Sequence, residues 1–258
     1  MIIDLNAALG PYPFRRLTRT SADEVVALMD RSGIDRAVVS ALPALLYRDV
    51  QRANADLRAS VAAHANRLVP VGTINPAYAG WERDLDELVR GWRWRAVALA
   101  PGHHDYRLGD ERGRAALARI AALGVPVVLT QRYEDRRQRH AWDRAEDLQL
   151  AEVLVAAREF PSLRMILVNW AAVDGARLAA AGLRGRCLID FARLQVLFRK
   201  EVPRLIETLG AEAVAFGSHL PFDYVAPALV KLDSVARFHP AHLEGIAGRN
   251  AARFLGLG

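Results

Sequence analysis

The chain has 258 residues, 52% of them apolar and 25% charged, with a formal net charge of +6 and one cysteine, Cys187. That length and composition suit one large domain with a sizeable core, and a lone cysteine excludes an internal disulfide. No run approaches the ~18–20 uninterrupted apolar residues of a membrane span. The positive charge does not read as a nucleic-acid footprint. Of the 35 basic residues only Lys200 and Lys231 are lysines, and the other 33 (35 − 2) are arginines scattered among acids. A phosphate-tracking face would be clustered. The amino terminus lacks a basic segment leading into an apolar stretch and a cleavage site, so a cytoplasmic protein is expected.

Met1–Leu5 opens as an apolar strand and turns small and polar at Asn6, Ala7 and Ala8, as if its carboxyl end met a cavity. Ser21 and Glu24 have capping-box spacing ahead of Val25, Val26 and Leu28, which predicts a helix start. Further strands are expected at Ala37–Ser40, Leu68–Thr73, Ala96–Ala100, Val125–Thr130, Met165–Asn169, Cys187–Asp190 and Ala213–Gly217. Each is short and apolar throughout, the pattern of strands buried on both faces. Between them, Val50, Ala53, Leu57 and Val61 repeat at helical spacing. Leu150, Val153, Leu154 and Ala157 do the same, as do Val202, Leu205, Ile206 and Leu209. Gly33, Gly124 and Gly210 each stand between a helix and a strand, where a left-handed helix end favours a residue without Cβ.

The alternation of strand and helix predicts an α/β fold with a parallel sheet. An open dinucleotide-binding sheet expects G-x-G-x-x-G after a strand, and none occurs. Eight strands in this length favour a closed (β/α)8 TIM barrel, a single domain over residues 1–258. The long connections Asn6–Thr20, Pro101–Asp110 and Gln131–Asp147 follow strands and so fall at the barrel's carboxyl face, where such folds build their sites.

Several stretches carry a family resemblance. Ile3–Gly10 is similar to an I-D-x-H-x-H-x-G motif, and Phe216–Phe222 to F-G-S-D-x-P-F. Ala63–Pro70 and Asn250–Gly256 resemble the matching helix-to-strand joint and C-terminal helix. Together they resemble the amidohydrolase-related branch of the amidohydrolase superfamily, TIM-barrel hydrolases and decarboxylases. In that family two strand-one histidines, histidines ending strands five and six, and a strand-eight aspartate hold a metal. The resemblance puts Asn6, Ala8, Thr130, Asn169 and His219 at those places. Neutral amide and hydroxyl oxygens are poor zinc ligands and alanine is none, so no metal and no other cofactor are expected. His104, Tyr106 and the Tyr133–His140 loop resemble a metal-poor subgroup of the family.

His219, at the rim and able to exchange a proton near neutral pH, is the expected catalytic pivot. Adjacent residues of an extended chain face opposite ways. Of His103 and His104, therefore, one is expected to face inward, and the subgroup pattern selects His104; His104 or Tyr106, two residues on, is expected to act as acid. Arg132 and Asp135 are expected to bind an acidic substrate group, the guanidinium held by Glu134 or Asp135. Asn6 and Asn169 are expected side by side at the pocket floor, holding a substrate carbonyl or a water. Asp190 and Arg193 read as a local ion pair; His64, His239 and His242 lie on outer helices. Two functions fit. One is a metal-independent hydrolase or C–C lyase acting on a small, carboxylate-bearing molecule. The other is a non-catalytic ligand-binding or scaffolding paralogue. A small-molecule partner and a homo-oligomer are expected, with neither nucleic acid nor membrane.

Overall fold

The computed structural model describes residues 1–194 and 201–258. Its strands in chain order are β1 (Ile3–Leu9), β2 (Arg36–Ala41), β3 (Leu68–Pro70), β4 (Gly72–Ile74), β5 (Val97–Leu99), β6 (Val127–Thr130), β7 (Met165–Val168), β8 (Cys187–Asp190) and β9 (Val214–Ala215). The helices are α1 (Ala22–Ser32), α2 (Gln51–Val61), α3 (Trp81–Asp86), α4 (Glu111–Leu123), α5 (Leu150–Glu159), α6 (Gly175–Ala180), α7 (Glu201–Leu209), α8 (Val225–Phe238) and α9 (Asn250–Leu255). All strand pairs are parallel, in the orders β1-β2-β3 and β4-β5-β6-β7-β8-β9. The two sheets are one barrel. β3 and β4 are halves of the expected third strand, the first paired to β2 and the second to β5. The Val71 amide between them donates to the Val39 carbonyl at 2.8 Å. That stagger is what tilted strands in a closed barrel require. Closure comes from Leu5 N to Phe216 O at 3.0 Å, Ala8 N to Leu220 O at 2.8 Å, and a parallel bridge between Ala7 and Leu220.

Two expectations about boundaries change. β1 runs on through Asn6, Ala7 and Ala8 to Leu9 instead of ending at Leu5. Its ladder to β2 breaks between Asp4 and Ala7, then resumes from Ala7 opposite Val39 to Leu9 opposite Ala41. An irregularity there re-aims Asn6 without ending the strand. The expected Ala213–Gly217 strand is only Val214–Ala215, because Ala211–Ala213 forms a short 3₁₀ turn.

Side chains on alternate strand positions divide between two cores. Ile3, Leu5, Val38, Val71, Ala96, Ala98, Ile166, Val168, Leu188 and Ala215 fill the barrel interior, joined by Ala251 and Leu255 of α9. Met165, Leu167, Val127, Leu129, Cys187 and Ile189 point outward to the helices. So α9 closes the end of the barrel away from the long loops. The Ser21 capping box forms as expected, with both reciprocal bonds present. Gly33 and Gly124 take left-handed helix ends, at φ 67° and 69°. Gly210 does not. At φ 97° and ψ 152° it occupies an extended region that is closed to other residues, so it serves the turn into β9 and not a helix cap. No helix among the described residues is long and apolar enough to cross a membrane.

Candidate active site

The carboxyl ends of the strands surround a narrow lumen with about 30 Å³ of open space. Its floor and walls are Leu5, Val38, Val71, Ala98, Val128, Ile166 and Val168. Polar groups enter at the rim: Asn6 from β1, Ser40 from β2, Thr130 from β6, and His219 after β9. Tyr133 and Phe222 also line it, in a cluster with Tyr12 and Phe14. None of the lining side chains carries a fixed charge.

His219 is fully enclosed, with 2% of its surface exposed. Its Nδ1 lies 2.8 Å from Asp223 Oδ2. The ring stacks on Phe222 with centroids 5.0 Å apart and planes 13° off parallel. Nε2 is buried without a hydrogen-bond partner. A carboxylate facing Nδ1 selects the Nδ1–H tautomer and leaves Nε2 able to accept a proton, or to donate one once charged. Burial pushes the Asp223 carboxyl up. The hydrogen bond and charge of His219, with Arg193 and Arg15, outweigh burial and hold the group below its ordinary value.

Beside it, Asn6 Nδ2 donates to Asn169 Oδ1 at 2.7 Å and to Asp190 Oδ2 at 2.8 Å. Asp190 Oδ1 accepts the Asn169 amide at 2.9 Å. The Asn6 carbonyl accepts the His219 amide at 2.9 Å. Asn169 Nδ2, like His219 Nε2, is buried and unpartnered. Both residues sit at φ 62°. A positive φ is uncommon outside glycine, though less so for Asn and His, and is kept where the surroundings over-determine it. Behind this row Asp190 and Asp4 are fully buried. Burial raises Asp190, opposed by the Asn6 and Asn169 hydrogen bonds and by His219. Burial raises Asp4 to about 6, against hydrogen bonds from Ser218 and Asn6. Asp4 Oδ1 accepts the Ser218 amide at 2.9 Å, and Oδ2 accepts the Ser218 hydroxyl.

Of the expected site residues, the barrel brings together Asn6, Asn169 and His219, and puts Thr130 and Ala8 on the same lumen. It places the others elsewhere. His104 turns away from the lumen, its Nε2 2.9 Å from the Ala44 carbonyl, and burial lowers its pKa. The loop after β5 coils back, so the ring meets backbone and not the cavity. Tyr106 is buried in that same turn, its phenol raised well above the ordinary value by burial. Arg132 pairs with Asp147 at 3.3 Å, not with Glu134 or Asp135, and lines a small neighbouring cavity with His103 and Arg139. Arg136 and Arg139 converge on the same Asp147 carboxylate, at 3.0 and 2.7 Å. Asp135 accepts the Arg137 guanidinium at 3.0 Å, which holds its carboxyl far below the usual range. Asp190 and Arg193 are not partners of each other. Arg193 lies 3.5 Å from Asp223 and 3.6 Å from Asp135. His64 pairs with Asp23 on the surface, as expected of an outer helix.

Asp223 is the site residue that sequence reading missed. Its signal was present, four residues after His219, the reach of a single turn. The donor set does not suit a divalent metal. His219 offers one imidazole nitrogen, Asn6 turns its amide nitrogen to Asp190, and the adjoining Asp190 and Asp223 carboxylates are taken up by Asn6 and His219. No three His, Cys, Asp or Glu side chains among the described residues are grouped so as to hold a metal ion.

Known proteins agree with this geometry at the level of the fold. The 5-carboxyvanillate decarboxylase of Sphingomonas paucimobilis superposes with a TM-score of 0.74 at 17% identity, over 100% of this chain and 99% of its own. A putative amidohydrolase from Staphylococcus aureus gives 0.74 at 13%, over 99% of both chains. A dihydroxybenzoic acid decarboxylase from Polaromonas sp. JS666, solved with bound manganese and 2-nitroresorcinol, gives 0.72 at 18%, over 99% of this chain and 97% of its own. No curated protein matches by sequence. The amidohydrolase family model matches residues 8–257, from the last residues of β1 to just past α9, and the chain belongs to that family.

Proposed function

We propose that this protein is a lyase that removes the carboxylate of a small organic acid in the barrel lumen, with His219 supplying the proton and no divalent metal taking part. The observation that carries the reading is the His219 ring, oriented by Asp223 through Nδ1 and left unpartnered at Nε2 in the lumen wall. The step balances simply. The bond between the carboxylate carbon and the substrate body breaks, carbon dioxide leaves, and its electron pair stays on the body. That carbon then takes the proton from the His219 imidazolium, which is reprotonated from solvent through the mouth. The apolar, uncharged walls favour this step. A carboxylate stripped of water among apolar walls is costly, and its charge disperses into the substrate body as the bond breaks. Asn169 holds an oxygen of the substrate through its unpartnered Nδ2, and Asn6, whose amide protons both go to Asn169 and Asp190, keeps that side chain in place. The decarboxylase relatives support action on a carboxylate, and hydrolysis of a small ester or lactone by a His219-activated water is the related chemistry.

A binding protein is the second reading. It draws on His104 and Tyr106, whose hydrogen bonds and burial take them out of the lumen and leave His219 without the expected acid partner. Carbon dioxide release from a panel of hydroxybenzoates and β-keto acids, with and without chelator, separates the readings. Turnover that survives chelation and falls by about 10²-fold or more in His219→Gln is expected. Turnover that needs added metal, or persists in His219→Gln, overturns the mechanism. Tight binding with no turnover leaves the binding reading.

A further inference from the structure

The Glu134-Asp135 pair in the loop after β6 touches the His219 turn from two sides, each time through an arginine of another loop. On one side Arg15, from the loop after β1, lies 3.2 Å from Glu134 and donates to the Phe222 carbonyl at 3.2 Å. Its guanidinium stands over the Phe222 ring, 5.5 Å from the centroid. That ring is the one stacked on His219. On the other side Arg193, from the loop after β8, lies 3.6 Å from Asp135 and 3.5 Å from Asp223, the carboxylate that holds His219 Nδ1. Lys231 of α8 donates to the carbonyls of Phe191 and Ala192, fixing the chain that carries Arg193. Glu134 is buried, and the Arg193 side chain is only 17% exposed, so these pairs are partly shielded from water and salt.

We infer that Arg193 and Arg15 are positioning residues, and that Glu134-Asp135 is a brace which fixes the His219–Asp223 pair instead of binding substrate. This rests on the proposed role of His219. Arg193 shares the Asp223 carboxylate with His219 and sets its direction; Asp135 sets the direction of Arg193. Arg15 seats the Phe222 ring against the imidazole. Three loops must therefore meet before the ring is held in one orientation.

The tests are Arg193→Gln, Arg193→Lys and Asp135→Asn, read by turnover and by long-range proton–nitrogen NMR of the His219 ring. In the unaltered protein the ring should show the Nδ1–H tautomer. In Arg193→Gln the nitrogen signals should move toward a mixture, with kcat about tenfold lower and KM little changed. Arg193→Lys should restore part of both, and Asp135→Asn should act in the same direction more weakly. The Arg193→Gln/Asp135→Asn double variant should be no worse than Arg193→Gln, because Asp135 acts through Arg193. His219 signals unchanged in both single variants, or fully additive losses in the double, would overturn the brace. If no acid is turned over by the unaltered protein, the lyase reading fails, and the NMR shift still decides the brace. Should Arg193→Gln not fold, Arg193→Lys and Asp135→Asn carry the same test.

Discussion

Asp4 shows how a single buried group sets a pH response. Its carboxyl is fully buried and raised from 3.8 to about 6, because burial disfavours the charge more than Ser218 and Asn6 support it. A carboxyl whose folded pKa exceeds its unfolded value binds its proton more tightly when folded. Its contribution to stability is therefore greatest below the unfolded value and is lost as pH rises through about 6. A shift of about two units is worth about 3 kcal/mol. Asp4→Asn keeps acceptors for the Ser218 and Asn6 amides and removes the titration. Denaturant unfolding at pH 4 and at pH 7 should show the variant gaining about 2 kcal/mol relative to the unaltered protein across that interval, most of the full effect; parallel pH curves would contradict it. Cys187 follows the same physics. Burial pushes its thiol up to about 12, with Arg186 only partly offsetting this, so almost no thiolate exists at pH 8. A thiol reagent should label it fast only after unfolding, and rapid labelling of the native protein would be the contrary result.

The elements were the most legible part of the chain, because their signals are local. Ser21 caps α1 and Glu24 returns to its backbone, as the three-residue spacing alone implied. Ser21→Ala should cost about 1 kcal/mol in thermal or denaturant unfolding and leave any turnover unchanged. Gly217 is a different case. A Cβ there would lie 2.6 Å from Asp190 Oδ2 and 2.8 Å from Asp190 Cβ. Gly217→Ala should therefore displace the carboxylate that holds Asn6 and Asn169, and reduce turnover or ligand affinity more than it lowers the melting temperature. A variant with unaltered affinity and turnover would show that the Asp190 bonds do not matter to the site. Where boundaries were misread, a long-range ladder had overridden composition. Asn6-Ala7-Ala8 looks too small and polar for a strand, yet β2 on one side and the bridge to Leu220 on the other keep it extended.

At the scale of the whole molecule the barrel makes one prediction of its own. Its site offers one imidazole nitrogen beside neutral amides, with the Asp190 and Asp223 carboxylates already held by Asn6 and His219, so protein purified without chelator should contain well under one zinc or manganese per chain. Elemental analysis giving a stoichiometric metal would refute this. Core substitutions should show the two-layer architecture. Leu167→Ala, between β7 and the helices, and Leu188→Ala, inside the barrel, should each cost about 2–5 kcal/mol in denaturant unfolding.

The sequence alone determined the order of strands and helices, the closed barrel, and the rim that carries Asn6, Asn169 and His219. Each depends on periodicity, turn chemistry or a motif within a few residues. It did not determine which polar groups face each other. His104 and Tyr106 left the lumen because the chain after β5 coils back on itself, and Arg132 found Asp147 because the long loop folds on its own charges. Asn6 reaches Asp190 across 184 residues of chain, and Arg193 reaches Asp135 and Asp223 from a third loop. Those meetings follow from strand stagger and loop path, which fix where each side chain points, and no local pattern in the sequence encodes them.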